Sequence, residues 1–272
     1  MTRRVAVFAS GGGTNLQSLL DRLNGRPSSG AEVVLVVSDR AGVRALERAA
    51  RAGVAAAVLP VAGRPPADAA AETAALLAAH EVDVIALAGY LRLVPATVIE
   101  RYRGRILNIH PALLPSFGGK GMYGLNVHRA VLEAGCTVTG ATVHHVTERY
   151  DEGRPVAQWP VPVRPGDEPQ TLAARVLRVE HVLYPLAIER LARAFDSGSA
   201  MEDVAARRTR GTGAWMPGGA AAPVAPDAVG RTPARDSGPC FGWIDDTAAL
   251  ESAMRAAFGM VDVNIDMDTD GA

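Results

Sequence analysis

Cysteine is scarce in this chain of 272 residues, which contains only Cys136 and Cys240. The two lie far apart, and neither belongs to a C-x-x-C pair or to a Cys/His spacing typical of zinc sites. A fold that depends on disulfides is therefore not expected, and a reducing, cytoplasmic compartment is favoured. Because no other group of His, Cys and Glu has metal-ligand spacing, the sequence predicts no metal.

The chain also lacks an excess of positive or negative charge, and it has no long apolar run. The chain has 28 Lys and Arg against 29 Asp and Glu, and its net charge of −1 indicates neither a nucleic-acid nor a membrane partner. Its first apolar run, residues 5–9, is too short for a signal segment or a membrane span. Since 48% of the residues are hydrophobic, one full core can be buried. We expect a soluble protein with small-molecule partners, and a weak homodimer is left open.

Short apolar runs alternate with helical patterns along the first third of the chain. Continuous apolar runs of this length are typical of strands covered on both faces. Strands that alternate with helices predict an α/β fold with a doubly wound, mostly parallel sheet. Ligands of such sheets bind beyond the carboxyl ends of the strands, where the winding direction reverses. The predicted strands are residues 5–9, 31–38, 54–59 and 82–88.

A first glycine loop, residues 10–15 (SGGGTN), lies between the first strand and the helical pattern LQSLLDRL. Glycines let the backbone approach a ligand, and the free N–H groups of a helix N-terminus attract an anion. The loop lacks the Walker sequence and the G-x-G-x-x-G spacing, so a single phosphate is favoured over a nucleotide. The alternative is a turn in which Thr14 or Asn15 only caps the helix. The pattern alone does not separate the two.

The segment 107–151 brings together an amide, an imidazole and a carboxylate. Asn108 and His110 lie two residues apart, on one side of an extended chain. Prolines at 111 and 115 then forbid a helix and predict a rigid loop. Asp151 follows in a D-E-G-R-P turn. These three groups suit polarisation of a carbonyl and transfer of a proton beside it. The alternative is that Asn108 caps a loop and His110 is an ordinary buried histidine.

The sequences NIHPALLPSF and GATVHHVTERYDEGRPV resemble the family of formyl-transfer enzymes that use 10-formyltetrahydrofolate. The resemblance covers roughly residues 3–195 by motif order, and it implies a Rossmann-like formyltransferase fold. Within the family the first glycine loop is most similar to the branch that formylates 5'-phosphoribosylglycinamide in purine synthesis. The implied reaction uses 10-formyltetrahydrofolate as co-substrate and needs neither a metal nor a covalent enzyme intermediate.

The resemblance also implies roles for particular residues. Two of them have open alternatives, because Arg92 could be a surface arginine paired with an acid and Glu180 a solvated helix residue. A family position three residues before Glu180 is polar in some relatives and is Leu177 here. The implied catalytic residues are Asn108, His110 and Asp151, supported by Thr142 and His144. Phosphate and ribose would be bound by Gly13, Thr14, Asn15 and Glu180. Folate would be bound by Leu91, Arg92, Leu93, Val94 and Asn108, with Arg64 a weaker candidate.

Three other functions use part of the same machinery. A methionyl-tRNA formyltransferase would need a basic, RNA-binding C-terminal domain, which the tail lacks. A formyltetrahydrofolate hydrolase is expected to carry a regulatory domain ahead of the first strand, which here begins at residue 4 or 5. A folate-binding relative without activity is disfavoured because Asn108, His110 and Asp151 are all present.

The second half of the chain is expected to complete the domain and to add a tail. A strand at 137–147, an edge strand at 155–163 and a long helix at 167–195 would end a catalytic domain of residues 1–198. A second glycine loop, residues 116–124 (SFGGKGMYG), is either a flap that closes on substrate or an ordinary surface loop. Residues 199–272 are rich in Gly, Pro and Ala and are predicted to be a largely disordered extension, dispensable for chemistry, with one short helix at 245–258.

Overall fold

The computed structural model describes residues 1–61, 63–196 and 247–257. One seven-stranded sheet organises them, with the strands in the order β3-β2-β1-β4-β5-β6-β7. Strands β1 to β5 are parallel to one another, whereas β6 is antiparallel to both of its neighbours, β5 and β7. The strands are β1 Arg3–Phe8, β2 Ala31–Ser38, β3 Ala55–Val58, β4 Val84–Leu87, β5 Ile106–His110, β6 Val138–His145 and β7 Pro155–Pro162.

Helices connect and cover the strands on both faces of the sheet. A 3-10 turn, Pro27–Ser29, leads into β2. None of the described helices is both long and apolar enough to cross a bilayer. The helices are α1 Thr14–Leu23, α2 Arg44–Arg51, α3 Pro66–Ala79, α4 Ala96–Arg101, α5 Leu125–Glu133, α6 Pro169–Asp196 and α7 Thr247–Ala257.

The strand order confirms the predicted doubly wound, mostly parallel sheet. From β1 the chain winds first toward β3 and then, through β4, toward β7 at the other edge. The carboxyl ends of β1 and β4 therefore flank the point at which the winding reverses, where ligands of such sheets bind. β7 is the predicted edge strand, and its prolines suit an edge because a proline has no N–H for the ladder.

Helix α6 is the main covering element, and its predicted apolar stripe is buried. Leu172, Val176, Val179, Leu183 and Leu186 are each at most 1% exposed. The fully buried hydroxyl of Tyr184, on the same helix, points at the sheet. It lies 3.0 Å from the Leu87 carbonyl oxygen and 2.9 Å from that of Leu107. Apolar packing and this buried hydrogen bond together fix the depth at which α6 lies on β4 and β5.

The predicted C-terminal helix is present as α7, and it packs on the domain. Leu250 and Met254 are 3% and 0% exposed and belong to the same core as β1, β4 and α6. Glu251 forms an ion pair with Arg22 of α1. Arg255 lies 3.4 Å from the buried carboxylate of Glu189 on α6. The short helix predicted at 245–258 thus forms over residues 247–257, and its apolar face is buried. The rest of the predicted extension, residues 199–246 and 258–272, lies outside the described residues.

Removal of one α7 anchor is expected to destabilise the whole domain. Leu250→Ala should lower the free energy of unfolding by about 2–5 kcal/mol, because a buried leucine leaves a cavity when truncated. Denaturant unfolding measures the change, with Ser252→Ala, an exposed position of the same helix, as the matched control. Turnover should persist, since α7 contributes no residue to the cavity described below. Equal stability of the two variants would mean that α7 does not dock.

Candidate active site

A cavity of about 660 Å³ lies beyond the carboxyl ends of β4 and β5. Its boundary also includes the second glycine loop, the segment after β6 and one residue of α6. Segments that lie far apart in the sequence therefore meet at this cavity, as expected for the carboxyl ends of strands in a doubly wound sheet. The predicted site residues that line the cavity are Asn15, Leu91, Arg92, Leu93, Val94, Asn108, His110, His144, Asp151 and Glu180.

Strand pairing places the polar groups of β5 and β6 side by side. Asn108 is opposite His144, and His110 is opposite Thr142, in the antiparallel register of these strands. Alternate residues of a strand face the same side, so all four side chains share one face of the sheet. His110 and His144 are 3% and 2% exposed.

The carboxylate of Asp151 is brought to this group by a turn after β6. Its backbone is left-handed, with φ 57°, a conformation that Asp and Asn tolerate better than most residues. The Gly119 N–H donates to its Oδ2 at 2.9 Å. A side chain at Gly118 would clash, since an added Cβ would lie 2.6 Å from Leu114 and 3.1 Å from the Asp151 Cβ. The second glycine loop thus approaches Asp151 closely because it lacks side chains there.

Asp151 lies between the two imidazoles. Its Oδ2 is 3.5 Å from Nδ1 of His110, and its Oδ1 is 3.6 Å from Nε2 of His144. The Asn108 amide nitrogen lies 3.5 Å from Oδ1 and 3.0 Å from Nε2 of His144. One carboxylate, one carboxamide and two imidazoles therefore form a continuous polar cluster at the cavity.

Backbone carbonyls determine which ring nitrogens carry hydrogen. Nε2 of His110 lies 2.8 Å from the Phe117 carbonyl oxygen, and Nδ1 of His144 lies 2.8 Å from that of His145. A carbonyl oxygen only accepts, so both of these nitrogens are protonated. In neutral His110 the Nδ1 is then a free base that faces Asp151. In neutral His144 the Nε2 accepts from the Asn108 amide.

Two opposing effects act on the charge state of His110. The Asp151 charge and the Phe117 carbonyl raise the pKa of His110, as expected, but desolvation by burial lowers it more, to below its ordinary value. Burial alone would raise the pKa of Asp151, yet the neighbouring imidazoles and the Gly119 N–H together lower it. At neutral pH the free protein therefore holds a neutral His110 beside an ionised Asp151, rather than an imidazolium.

Thr142 contacts the proline loop rather than the cavity. Its hydroxyl donates to the Ala112 carbonyl at 2.6 Å and accepts from the Leu114 N–H at 3.1 Å. Gln158 of β7 adds a hydrogen bond to the Leu114 carbonyl at 3.0 Å. Thr142 thus supports the site by fastening the loop after His110 to β6.

Of the predicted phosphate-binding residues of the first glycine loop, only Asn15 lines the cavity. The Asn15 amide donates to the carboxylate of Glu180 at 2.6 Å. Glu180 is 7% exposed, so it is not the solvated helix residue of the alternative, and burial raises its pKa. Gly13 and Thr14 are not among the cavity-lining residues. Gly13 has a left-handed φ of 68° and begins α1. The first turn of α1 leaves N–H groups that no helical carbonyl satisfies.

The residues expected to bind folate divide into two groups. The β4 loop, residues 89–94, lines the cavity, and Leu91 and Leu93 expose 38% and 45% of their surface. Arg92 also lines the cavity, but it is paired with Asp39, as the alternative for it foresaw. Arg64 is not in the lining and pairs with Glu72 at 2.6 Å. The assignment of Arg64 to folate therefore gains no support, because nothing in the sequence anchors the register of its loop.

The comparison with known proteins identifies the family of this chain. The formyl transferase family model matches residues 3–188. The chain belongs to the formyl transferase family. All the site residues described above lie within the match, whereas α7 lies beyond it.

Individual relatives of this formyl transferase share the same part of the chain. Phosphoribosylglycinamide formyltransferase, chloroplastic, of Arabidopsis thaliana is 45% identical over 67% of this chain and 63% of its own. The trifunctional purine biosynthetic protein adenosine-3 of Gallus gallus is 43% identical over 70% of this chain and 18% of its own. The chain thus spans less than two thirds of either curated relative. Glycinamide ribonucleotide transformylase 1 from Symbiobacterium toebii has a TM-score of 0.66 at 43% identity, covering 71% and 89% of the two chains.

Several lining residues of this formyl transferase were given no role from the sequence. Tyr90, Met122, Tyr123 and Tyr150 border the cavity. Each lies in a loop whose course depends on tertiary packing, and only their apolar or aromatic character within loops could have indicated them. Within the described part of the chain, no three His, Cys, Asp or Glu side chains are grouped as metal ligands.

The first glycine loop offers a test that separates phosphate binding from turn formation. Gly13 is unsuitable, because its φ is positive and an added Cβ would lie 2.9 Å from the Cα of Ala45. At Gly12 an added Cβ meets nothing within 4 Å. Gly12→Val should therefore leave the thermal midpoint unchanged. It should raise the KM for a phosphate-bearing substrate, because the valine side chain keeps the phosphate away from the backbone N–H groups.

The control for that variant is Ala41→Val, at an exposed loop position outside the cavity lining, compared by the same steady-state kinetics. If Gly12→Val raised the KM values of both substrates equally, the loop would be a structural turn rather than a phosphate site.

Proposed function

We propose that this formyl transferase moves the formyl group of 10-formyltetrahydrofolate to the amino group of 5'-phosphoribosylglycinamide, a step of purine synthesis. The observation that carries the proposal is the cluster of Asn108, His110 and Asp151 in one cavity with the Asn15–Glu180 pair and the β4 loop. The names of the relatives, phosphoribosylglycinamide formyltransferase and glycinamide ribonucleotide transformylase, support the same reaction. A ribonucleotide and a folate both need room in this cavity, and proximity of the two reactants supplies much of the catalysis.

Asn108 is suited to stabilise the oxygen of the tetrahedral intermediate. Attack of the substrate amine on the formyl carbon turns the carbonyl oxygen into an oxyanion. The Asn108 amide has two N–H groups, and its nitrogen contacts His144 and Asp151 in this structure. Donation to His144 uses one hydrogen, which leaves the second for the oxyanion when it forms.

His110 is suited to carry the proton that the amine must lose. The free Nδ1 of neutral His110 accepts this proton, directly or through water, and becomes an imidazolium 3.5 Å from the Asp151 carboxylate. Asp151 stabilises the imidazolium by its charge, and the imidazolium in turn stabilises the oxyanion. When the bond between the formyl carbon and N10 of the folate breaks, the proton passes to N10. Tetrahydrofolate and the formylated ribonucleotide leave with no net change in protons.

The proposal includes the subcellular location and the binding partners of the enzyme. Net charge near zero and scarce cysteine support a cytoplasmic enzyme of small-molecule substrates. Cell fractionation checks the location, and sedimentation at several protein concentrations checks for a weak homodimer.

Replacement of Asp151 should remove most of the activity without loss of the fold. Asp151→Asn keeps the size of the side chain, and Asn accepts the left-handed backbone. Turnover should fall by about 10²–10³, as when one group that stabilises transition-state charge is lost. The matched control is Glu152→Gln, the loss of an exposed neighbouring carboxylate paired with Arg149. Near-normal turnover of Asp151→Asn, with an unchanged thermal midpoint, would exclude the role given to Asp151.

The pH dependence follows from the lowered pKa of His110. Above that pKa the imidazole is neutral and accepts the amine proton, and below it the base is blocked. The value of kcat/KM is therefore expected to rise through an apparent pKa below 6.5 and to be level around neutral pH. NMR titration of His110 measures the same pKa directly, and Asp151→Asn should lower it. A rate that falls between pH 6 and 8 while His110 loses its proton would mean that the imidazolium is required in the free enzyme.

Acceptor preference distinguishes the proposed activity from its rivals. With 10-formyltetrahydrofolate held constant, tetrahydrofolate release is measured with 5'-phosphoribosylglycinamide, with water alone and with charged initiator tRNA. We expect turnover with the ribonucleotide to exceed that with either other acceptor. Release with water alone indicates a hydrolase, transfer to tRNA indicates a methionyl-tRNA formyltransferase, and no turnover at all indicates an inactive relative.

A further inference from the structure

The β4 loop, residues 89–94, is fastened to the ends of two other strands. The Leu91 N–H donates to the Ser10 hydroxyl at 3.0 Å, and the Ser10 N–H donates to the Gly89 carbonyl at 3.2 Å. Nε of Arg92 donates to Oδ2 of Asp39, directly after β2, at 3.1 Å. Tyr90 and Val94 at the two ends of this loop pack against the core, whereas Leu91 and Leu93 between them are exposed. The middle of the loop therefore depends on these polar contacts for its conformation.

The carboxylate of Asp39 is the buried partner in this arrangement. Its side chain is 2% exposed, whereas the Arg92 side chain is 44% exposed. Burial alone would raise the pKa of Asp39, but Ser10, Arg40 and Arg92 together lower it. Asp39 is therefore an anion at neutral pH. A buried anion needs a cation in contact, because an unpaired one would be strongly destabilising.

Two arginines meet this need, and only one of them belongs to the site. Nη2 of Arg40 lies 3.4 Å from Asp39 Oδ2, with 49% of its side chain exposed, and Arg40 is not in the cavity lining. Arg92 lies closer to the same oxygen and lines the cavity. Both arginines thus balance the charge of Asp39. Only Arg92 connects Asp39 to the cavity lining.

We propose that Asp39 is a positioning residue for the folate co-substrate. It holds Arg92 by Nε and thereby fixes the β4 loop in the shape that meets the folate; this rests on the proposed function. Asn15 and Glu180, at the ribonucleotide subsite, are held by a separate hydrogen bond. Loss of Asp39 therefore weakens the binding of folate more than the binding of ribonucleotide.

The test compares Asp39→Asn and Asp39→Ala with Arg40→Ala as the matched control. The KM for each substrate is measured, together with the Kd for tetrahydrofolate by calorimetry, which needs no turnover. Asp39→Ala is expected to raise the Kd for tetrahydrofolate about tenfold or more, because a charge-assisted hydrogen bond is lost. Asp39→Asn, which keeps an acceptor for Arg92, should lie between Asp39→Ala and wild type. Arg40→Ala should match wild type in both substrates.

Coupling between the two side chains is measured with Arg92→Ala and with the double variant. If Asp39 acts through Arg92, the losses in tetrahydrofolate affinity are not additive. Additive losses, an unchanged folate Kd in folded Asp39 variants, or equal rises in both KM values would each overturn the proposal. Should Asp39→Ala fail to fold, Asp39→Asn and its pairing with Arg92→Ala decide the question. If wild-type protein binds tetrahydrofolate but transfers no formyl group, the proposed function fails, whereas the Asp39 effect on Kd is still measured.

Discussion

Burial of one carboxylate between two imidazoles is the constraint on which the rest of the site depends. Asp151 is largely removed from water, and the hydrogen bonds and charges of its neighbours, the Gly119 N–H among them, lower the pKa of its carboxyl. Desolvation makes the charged form of His110 costly in the same place. Two opposing effects therefore meet at His110: burial disfavours its imidazolium form, and the Asp151 carboxylate favours it. Burial is the stronger of the two, and it lowers the pKa of His110 below its ordinary value.

Such a cluster requires a backbone that few sequences provide. The left-handed Asp151 turn, the close approach at Gly118 and the Phe117 carbonyl beside His110 all belong to two loops. Thr142 fastens the intervening proline loop to β6. The first residues of the second glycine loop therefore help to position Asp151. Gly118 allows the close approach, and Gly119 donates the hydrogen bond.

Periodicity and motif order were sufficient for the sheet, its winding and the cavity residues on strand ends. They failed where the outcome depends on a balance of opposing energies or on distant packing. The charge of His110 is one case, since burial and Asp151 act in opposite directions and only their geometry decides. Arg64 is another, because its loop has no periodic pattern to fix its register. The docking of α7 is a third, since composition suggested a loose tail and the partner face lies on α1 and α6.

Helix α6 explains how these separate parts keep their spacing. Glu180 and Tyr184 are four residues apart, so they lie on the same face of the helix. The Tyr184 hydroxyl is bound to carbonyls of β4 and β5, and the Leu107 carbonyl immediately precedes Asn108. A shift of α6 along the sheet would leave these buried groups unpaired, at a cost of about 1–3 kcal/mol for each. The Glu180 carboxylate, which accepts from Asn15, is therefore held at a fixed distance from the Asn108 amide, for which a contact with the formyl group is proposed.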